Sequence, residues 1–327
     1  MALSITNKES STLKDLVKKI KSFHTDDWGR YRIAFRWVAE HIAYDVVSYR
    51  SNKIEAQSPQ ETIQKKRAVC EGYAELLKAI ADGLGIRCEV ISGYAKWDGV
   101  CQEKYDKANH AWNAAEINGS WYLFDATWAA GNVDLKINRF KRIFEDFYFA
   151  PAPEELLNNH LPEDPKWQLV VDTLAKAEFE SRCSVSVALF KLGLTVEAIK
   201  RICPASRCEM VEINYESYNN ISKAEIPFEK VLHGGMPYEF TIRASGPARY
   251  YIENAPPAIL PAKNEKVIPR ATTWTSTVDS ERNRRRKTDI PFKKNISRIT
   301  FTPLVGYLCI FSTEKGRSEI IFKWTVQ

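Results

Sequence analysis

One dipeptide, Asn118-Gly119, constrains this chain more than any other feature of its sequence. It joins two runs of alternating polarity, 110–117 and 120–127, and Asn-Gly readily takes the left-handed backbone that a two-residue hairpin turn requires. Such a turn fixes the register: Ile117 faces Ser120, Trp112 faces Asp125, and His110 faces Thr127. His110, Trp112, Asp125 and Thr127 then share one face with the apolar Ala114 and Leu123. His110 and Asp125 become diagonal cross-strand neighbours, about 7 Å apart at the backbone and within side-chain reach. A carboxylate so placed can orient an imidazole and stabilise its charged form. Ion pairs on sheets also arise for purely structural reasons, so the pair alone does not define a site.

What lies upstream shifts that balance. Residues 11–23 and 26–47 read as helices, the second with Tyr31, Ala34, Trp37, Val38, His41 and Ile42 at helical spacing. Ser58-Pro59-Gln60-Glu61 is a capping box with proline at the first helical position, and its helix ends near Arg67. A longer helix runs from Cys70 to about Asp82 and stops at Gly83 or Gly85. Cys70 therefore opens a helix, directly after Lys65-Lys66-Arg67. A helix N-terminus and nearby cations both lower a thiol's pKa, and the thiolate is the reactive form. Backbone N–H groups at such a position also face any oxyanion formed on a substrate. Cysteine, histidine and aspartate in that order, each in a suitable local setting, point to a nucleophile, a base and its orienting acid. A strand at Arg87–Tyr94 precedes the hairpin, so helices followed by an antiparallel meander give an α+β domain.

The chain has 327 residues, enough for two domains. Pro151, Pro153, Pro162 and Pro165 mark a boundary, giving a catalytic domain over 1–149, a Pro-rich linker and helix over 150–180, and a β-rich interaction domain over 181–327. In the last part we expect a helix around 166–180 and then strands at Cys183–Phe190, Cys208–Ile213, Tyr238–Ala244, Ala248–Ile252, Arg298–Thr302, Tyr307–Phe311 and Glu319–Thr325. Short strands with polar turns suggest a β-sandwich. A net charge of +6 is mild for this length and does not imply a nucleic-acid binder. No apolar run is long enough to span a bilayer, and the first residues lack the pattern of a secretory leader. The seven cysteines, at 70, 88, 101, 183, 203, 208 and 309, are odd in number and irregularly spaced, which reads as free thiols in the cytoplasm. Cys88, Cys183 and Cys309 sit in apolar runs and read as buried and inert. The sequons at Asn118, Asn220 and Asn295 are then chance matches.

Three segments resemble the core motifs of transglutaminase-like domains: Ala68-Val69-Cys70-Glu71-Gly72-Tyr73-Ala74, Asn109-His110-Ala111-Trp112-Asn113-Ala114, and Gly119-Ser120-Trp121-Tyr122-Leu123-Phe124-Asp125-Ala126-Thr127-Trp128. Phe35–Asp45 is similar to the helix preceding that core, and Phe147–Pro151 with His160–Leu169 resembles the kyphoscoliosis peptidase and hillarin group. The resemblance covers roughly 25–170 and implies a papain-like fold with Cys70 as nucleophile, His110 as general base and acid, and Asp125 as orienter. It implies acyl transfer on a protein or peptide substrate, as in a cysteine peptidase, and an association with cytoskeletal proteins, for which the C-terminal β domain is the natural docking module. A protein-glutamine transglutaminase or deamidase differs only in what resolves the acyl-enzyme, and a non-catalytic cytoskeletal adaptor keeping the fold is the third alternative.

Other residues carry weaker signals. Gln57, Gln60, Tyr44 and Trp128 are all candidate oxyanion donors, and Trp112 and Trp128 can wall a substrate groove or simply pack the sheet. Cys203–Cys208 suits zinc poorly and lacks completing ligands, and no acidic calcium loop occurs, so the sequence calls for no metal and no cofactor. A zinc cysteine quartet, as in peptide N-glycanases, is also missing. Arg282-Asn283-Arg284-Arg285-Arg286-Lys287 reads as a solvated basic loop, able to meet an acidic surface. His24, His41, His160 and His233 have no partner visible in the sequence and read as packing or surface residues.

Overall fold

The computed structural model describes the chain apart from residues 24, 54–55, 135–136, 204–209, 214–220, 245–248, 256–285, 290–295, 302, 304–305 and 315–316. His24, Cys208, Asn220, Arg282–Arg285 and Asn295 lie outside the described residues. Two compact units emerge, one of Met1–Trp97 with Glu103–Glu180 and one of Asp98–Gln102 with Ser181–Gln327.

The first unit opens with α1 (Leu13–Lys21) and α2 (Asp27–His41). α2 stops six residues short of the expected 47, because Ala43–Tyr44 (β1) pairs in parallel with Arg67–Ala68 (β2). Then come α3 (Val46–Ser51), α4 (Pro59–Lys65) and α5 (Cys70–Leu84). The Ser58 capping box forms in full, and Gly85 ends α5 in the left-handed conformation that favours glycine. α5 buries Tyr73, Leu76, Leu77 and Ile80. α2 presents Tyr31, Ala34, Phe35, Trp37 and Val38 to the same core.

A four-stranded antiparallel sheet follows, built from β3 (Cys88–Ala95), β4 (His110–Ile117), β5 (Ser120–Phe124) and β8 (His160–Pro162) in the order β5-β4-β3-β8. Asn118 and Gly119 both have positive φ, and Ile117 faces Ser120 as the turn requires. The ladder stops at Asn113 opposite Phe124, one pair before the expected Trp112–Asp125. Asp125 instead caps a short helix, α6 (Ala126–Ala130), while its N–H bonds to the Tyr148 carbonyl. Thr127 therefore lies on α6 and not across from His110. β6 (Gly131–Asp134), β7 (Arg139–Arg142) and α7 (Pro153–Leu156) precede β8. Residues 150–180, expected as a linker, belong to this unit, since β8 is an edge of its sheet. The helix expected at 166–180 is only a 3-10 turn at Pro165–Gln168 and α8 (Lys176–Ser181). Between them the Gln168 side chain bonds both backbone groups of Leu174.

The second unit begins with two helices, α9 (Val187–Lys191) and α10 (Val196–Ile202). The strand expected at Cys183–Phe190 is therefore overturned; a short apolar run does not distinguish a buried strand from a buried helix. Cys183 is not a free thiol but is disulfide-bonded to Cys101, S–S 2.00 Å, whereas Cys70 and Cys88 are free thiols. Irregular spacing hides a pairing across 82 residues. The rest is β: β9 (Glu212–Ile213), β10 (Ile221–Glu225), β11 (Val231–Leu232), β12 (Tyr238–Ala244), β13 (Arg249–Ala255), β14 (Arg286–Asp289), β15 (Ile296–Phe301), β16 (Gly306–Glu314) and β17 (Arg317–Val326). They form a three-stranded sheet, β10-β12-β15, and a six-stranded sheet of β11, β17, β16, β13, β14 and β9. Buried Phe240 and Trp324, one from each sheet, meet with centroids 5.5 Å apart, as in a sandwich core. Arg286 and Lys287 of the basic run open β14, so that run is not wholly loop.

Gly93 on β3 is where the sheet closes around the future site. A Cβ there would sit 2.3 Å from the Trp112 ring and 2.4 Å from the Leu161 carbonyl oxygen. Gly93→Ala is expected to destabilise the fold by about 1–3 kcal/mol, measured by urea unfolding.

Candidate active site

Three elements converge. α5 places Cys70 at its first turn, where Val69 offers no side-chain cap, leaving the leading N–H groups without a side-chain acceptor. β4 presents His110 from its first residue, and the Asp125 cap on α6 approaches from the end of β5. Two buried contacts hold these elements in register: Asn113 Nδ2 of β4 donates to the Ala74 carbonyl of α5 at 3.0 Å, and the Tyr73 hydroxyl donates to the Ile42 carbonyl at 2.6 Å.

The His110 Nε2 lies 2.7 Å from Asp125 Oδ2, with His110 9% exposed and Asp125 1%. Cys70 is half-buried beside the His110 ring, and because Nε2 is taken by Asp125, Nδ1 is the ring nitrogen left for the sulfur. Asp125 Oδ1 accepts from the Thr127 and Trp128 N–H groups at 2.8 and 3.0 Å.

The electrostatics follow from this geometry. Burial works against the Asp125 charge, yet His110 and the other donors outweigh it and hold the carboxyl far below its ordinary range. Burial likewise works against a charged His110, but the Asp125 carboxylate raises its pKa well above the ordinary imidazole value. At Cys70 burial is the largest influence and pushes the thiol up; hydrogen bonding and charge from His110, with the Ala111 N–H, overcome it and leave the thiol below its ordinary value. Both shifts favour a thiolate–imidazolium pair braced by a carboxylate. The basic run contributes differently from expectation. Lys66 Nζ lies 4.7 Å from the Trp37 ring centroid, and His110 supplies the charge at the sulfur.

The weaker candidates separate. Trp112, 1% exposed, lies under the His110 ring at 5.9 Å, so it packs the imidazole and offers substrate no face. Trp128 is half-buried, 5.5 Å from the His110 ring, and stacks at 5.1 Å on Trp97, which is 53% exposed. These two indoles form a wall beside the imidazole; Trp97 was not foreseen. Tyr44 is close enough to Cys70 that burial first, and then the thiol's charge, raise its phenol pKa. Gln60 is committed elsewhere, bonding the Leu13 N–H and the Ser11 carbonyl. Gln57 lines a cavity of about 480 Å³ with Ala68, Val69, Gly72 and Glu75, against the first turns of α5. His41 stacks on Trp37, a packing role as expected. His160 departs from expectation: it is fully buried, with Nε2 3.0 Å from Asp125 Oδ2. Its donor atom and those of His110 and Asp125 lie within 4.8 Å of one another, each hydrogen-bonded within the cluster.

A helix-borne thiol, a hairpin imidazole and a capping carboxylate define a papain-like thiol site, and the family comparison agrees with the class. Residues 14–126 match the family model of the transglutaminase-like superfamily. Among curated proteins it is 31% identical over 173 residues to kyphoscoliosis peptidase of Mus musculus, covering 52% of this chain and 26% of that protein. It is 24% identical over 207 residues to hillarin of Drosophila melanogaster, covering 59% and 25%. It is 27% identical over 164 residues to cytokinesis protein 3 of Schizosaccharomyces pombe, covering 50% and 18%. The chain thus spans about a quarter or less of these relatives' length.

The charge pattern predicts a pH dependence. Alkylation of Cys70 by iodoacetamide, followed by peptide mass spectrometry, should show a midpoint below the free-thiol value of about 8.5. In His110→Ala burial, the largest influence, is opposed only by the Ala111 N–H, so the midpoint should rise above that value.

Proposed function

We propose that this chain is a thiol acyl-transfer enzyme of cysteine-peptidase type acting on protein substrates. The observation that carries the proposal is the buried 2.7 Å His110–Asp125 contact with Cys70 beside the same imidazole. In this reading the Cys70 thiolate attacks the carbonyl carbon of a peptide or glutamine side chain, and the carbonyl π electrons move to oxygen. The oxyanion forms at the N-terminus of α5, against the Cys70 N–H. His110 passes its Nδ1 proton to the departing nitrogen, the C–N bond breaks, and a thioester remains. Water then attacks the thioester as His110 takes its proton, and the thiolate returns. Trp97 and Trp128 would flank the substrate chain beside His110, with Tyr44 and Gln57 on the α5 side. An amine replacing water would give transamidation, and glutamine with water would give deamidation.

The adaptor reading has its own support in the relative named for cytokinesis. That name also supports a cytoplasmic, cytoskeleton-associated setting, with the β-rich unit as the partner-binding part. The Cys101–Cys183 bridge counts against resting that placement on free thiols.

Protein mixtures incubated with the wild-type chain should gain new N-termini, read by N-terminal labelling and mass spectrometry. Cys70→Ala should lower that release at least about a thousandfold. Incorporation of a fluorescent amine without new N-termini would move the assignment to transamidation. Neither product from the wild type, with a phenotype rescued equally by Cys70→Ala, would establish the adaptor.

A further inference from the structure

The Asp125 carboxylate is addressed by two imidazoles, not one. His160 opens β8, the edge strand that pairs with β3 through Ala95–His160 and Gly93–Pro162. Its ring is enclosed by Trp128 at 4.6 Å, Trp112 at 5.1 Å, His110 at 5.3 Å and Tyr148 at 5.9 Å. Nε2 lies 3.0 Å from Asp125 Oδ2, the same oxygen that His110 Nε2 meets at 2.7 Å. An ionised carboxylate only accepts, so both ring nitrogens must donate to it. The other nitrogen of each ring then leads outward: from His110 toward Cys70, and from His160 Nδ1 to Asn159 Oδ1 at 2.6 Å. Asn159 is itself fully buried, held through its carbonyl by the Lys96 N–H.

We propose that His160 and Asn159 are positioning residues that complete a five-membered chain, Cys70–His110–Asp125–His160–Asn159, and keep the catalytic proton on His110. The inference rests on the thiol-enzyme reading above. Two imidazoles flank one carboxylate, and only one can carry the cation without placing two positive charges about 5 Å apart in a buried site. The cation must be His110, because that ring faces the sulfur. His160 must then be neutral, with its proton on Nε2 and a lone pair on Nδ1. Burial, and then the charge on His110, favour that state. A neutral Nδ1 needs a donor, so the Asn159 amide, whose Oδ1 stands at 2.6 Å while its buried Nδ2 has no partner, is to be turned end for end, which brings Nδ2 to the ring. The Asn159 amide and the His160 charge are therefore coupled: the NH₂ end toward the ring keeps it neutral, and the carbonyl end would stabilise a second proton. The titratable groups facing His160 are Asp125, His110 and Tyr148.

His160 also restrains the proton by supplying Asp125 with its fourth donor. A carboxylate that loses a donor gains proton affinity and competes for the His110 proton; the imidazolium beside Cys70 is then lost, and the thiol's pKa rises. In His160→Phe the Cys70 alkylation midpoint should rise by about one pH unit, with roughly tenfold slower labelling on the acid side. His160→Gln, which returns an N–H near the Nε2 position, should recover most of the wild-type profile. Asn159→Asp preserves shape but offers only acceptors, so it should protonate His160 and raise the midpoint even if the Phe variant fails to fold, as thermal melts would reveal. A wild-type midpoint that is not depressed would sink the thiol-enzyme reading itself. A depressed wild-type midpoint left unmoved by Asn159→Asp and by folded His160→Phe would overturn this inference alone.

Discussion

The rest of the first unit is arranged around one buried negative charge. An isolated carboxylate taken out of water costs several kcal/mol even after relaxation, and Asp125 meets that cost with four donors. Two come from the backbone at the start of α6 and two from imidazoles on different strands. The ladder of β5 ends where it does because Asp125 must turn out of the sheet to cap α6. β8 is recruited from 35 residues downstream so that His160 can reach the same oxygen. Remove the charge, and the reason for the imidazolium, the lowered thiol and the aromatic enclosure goes with it.

That enclosure works in the same direction. Trp112 beneath His110 and Trp128 beside it exclude water from the ion pair, which strengthens every interaction inside. Trp128 continues outward to the exposed Trp97, so the apolar lining extends from the buried cluster to the surface. The family match ends at residue 126 and so takes in Cys70, His110 and Asp125 but stops before His160.

Local chemistry made the core legible in advance. The Asn118-Gly119 turn, the Ser58 capping box and the glycine stop after α5 are short-range devices, and each forms where the residues call for it. His110 and Asp125 met because their pairing depends on one turn. The misreadings share the opposite property. His160 reaches Asp125 across 35 residues, and Cys101 finds Cys183 across 82. No local pattern encodes either contact: the His160–Leu169 motif does not show what its histidine meets, and the spacing of the cysteines does not show which of them pair. Thr127 was misplaced by extending a correct register past the point where a cap replaced the strand. The run 183–190 leads into α9 where a strand is expected, because it is too short for periodicity to choose.

The Cys101–Cys183 bridge bears on how the chain can be divided. Asp98–Gln102 leaves the first unit, belongs with the residues after 180, and returns, so the polypeptide crosses between units three times. Gly99 and Val100 are hydrogen-bonded to Ser184 beside the bridge. A fragment ending at residue 180 would thus strand five residues in the middle of its sequence, with a sulfhydryl where a covalent tie had been. The two halves are interleaved along the polymer, and no single cut recovers both intact.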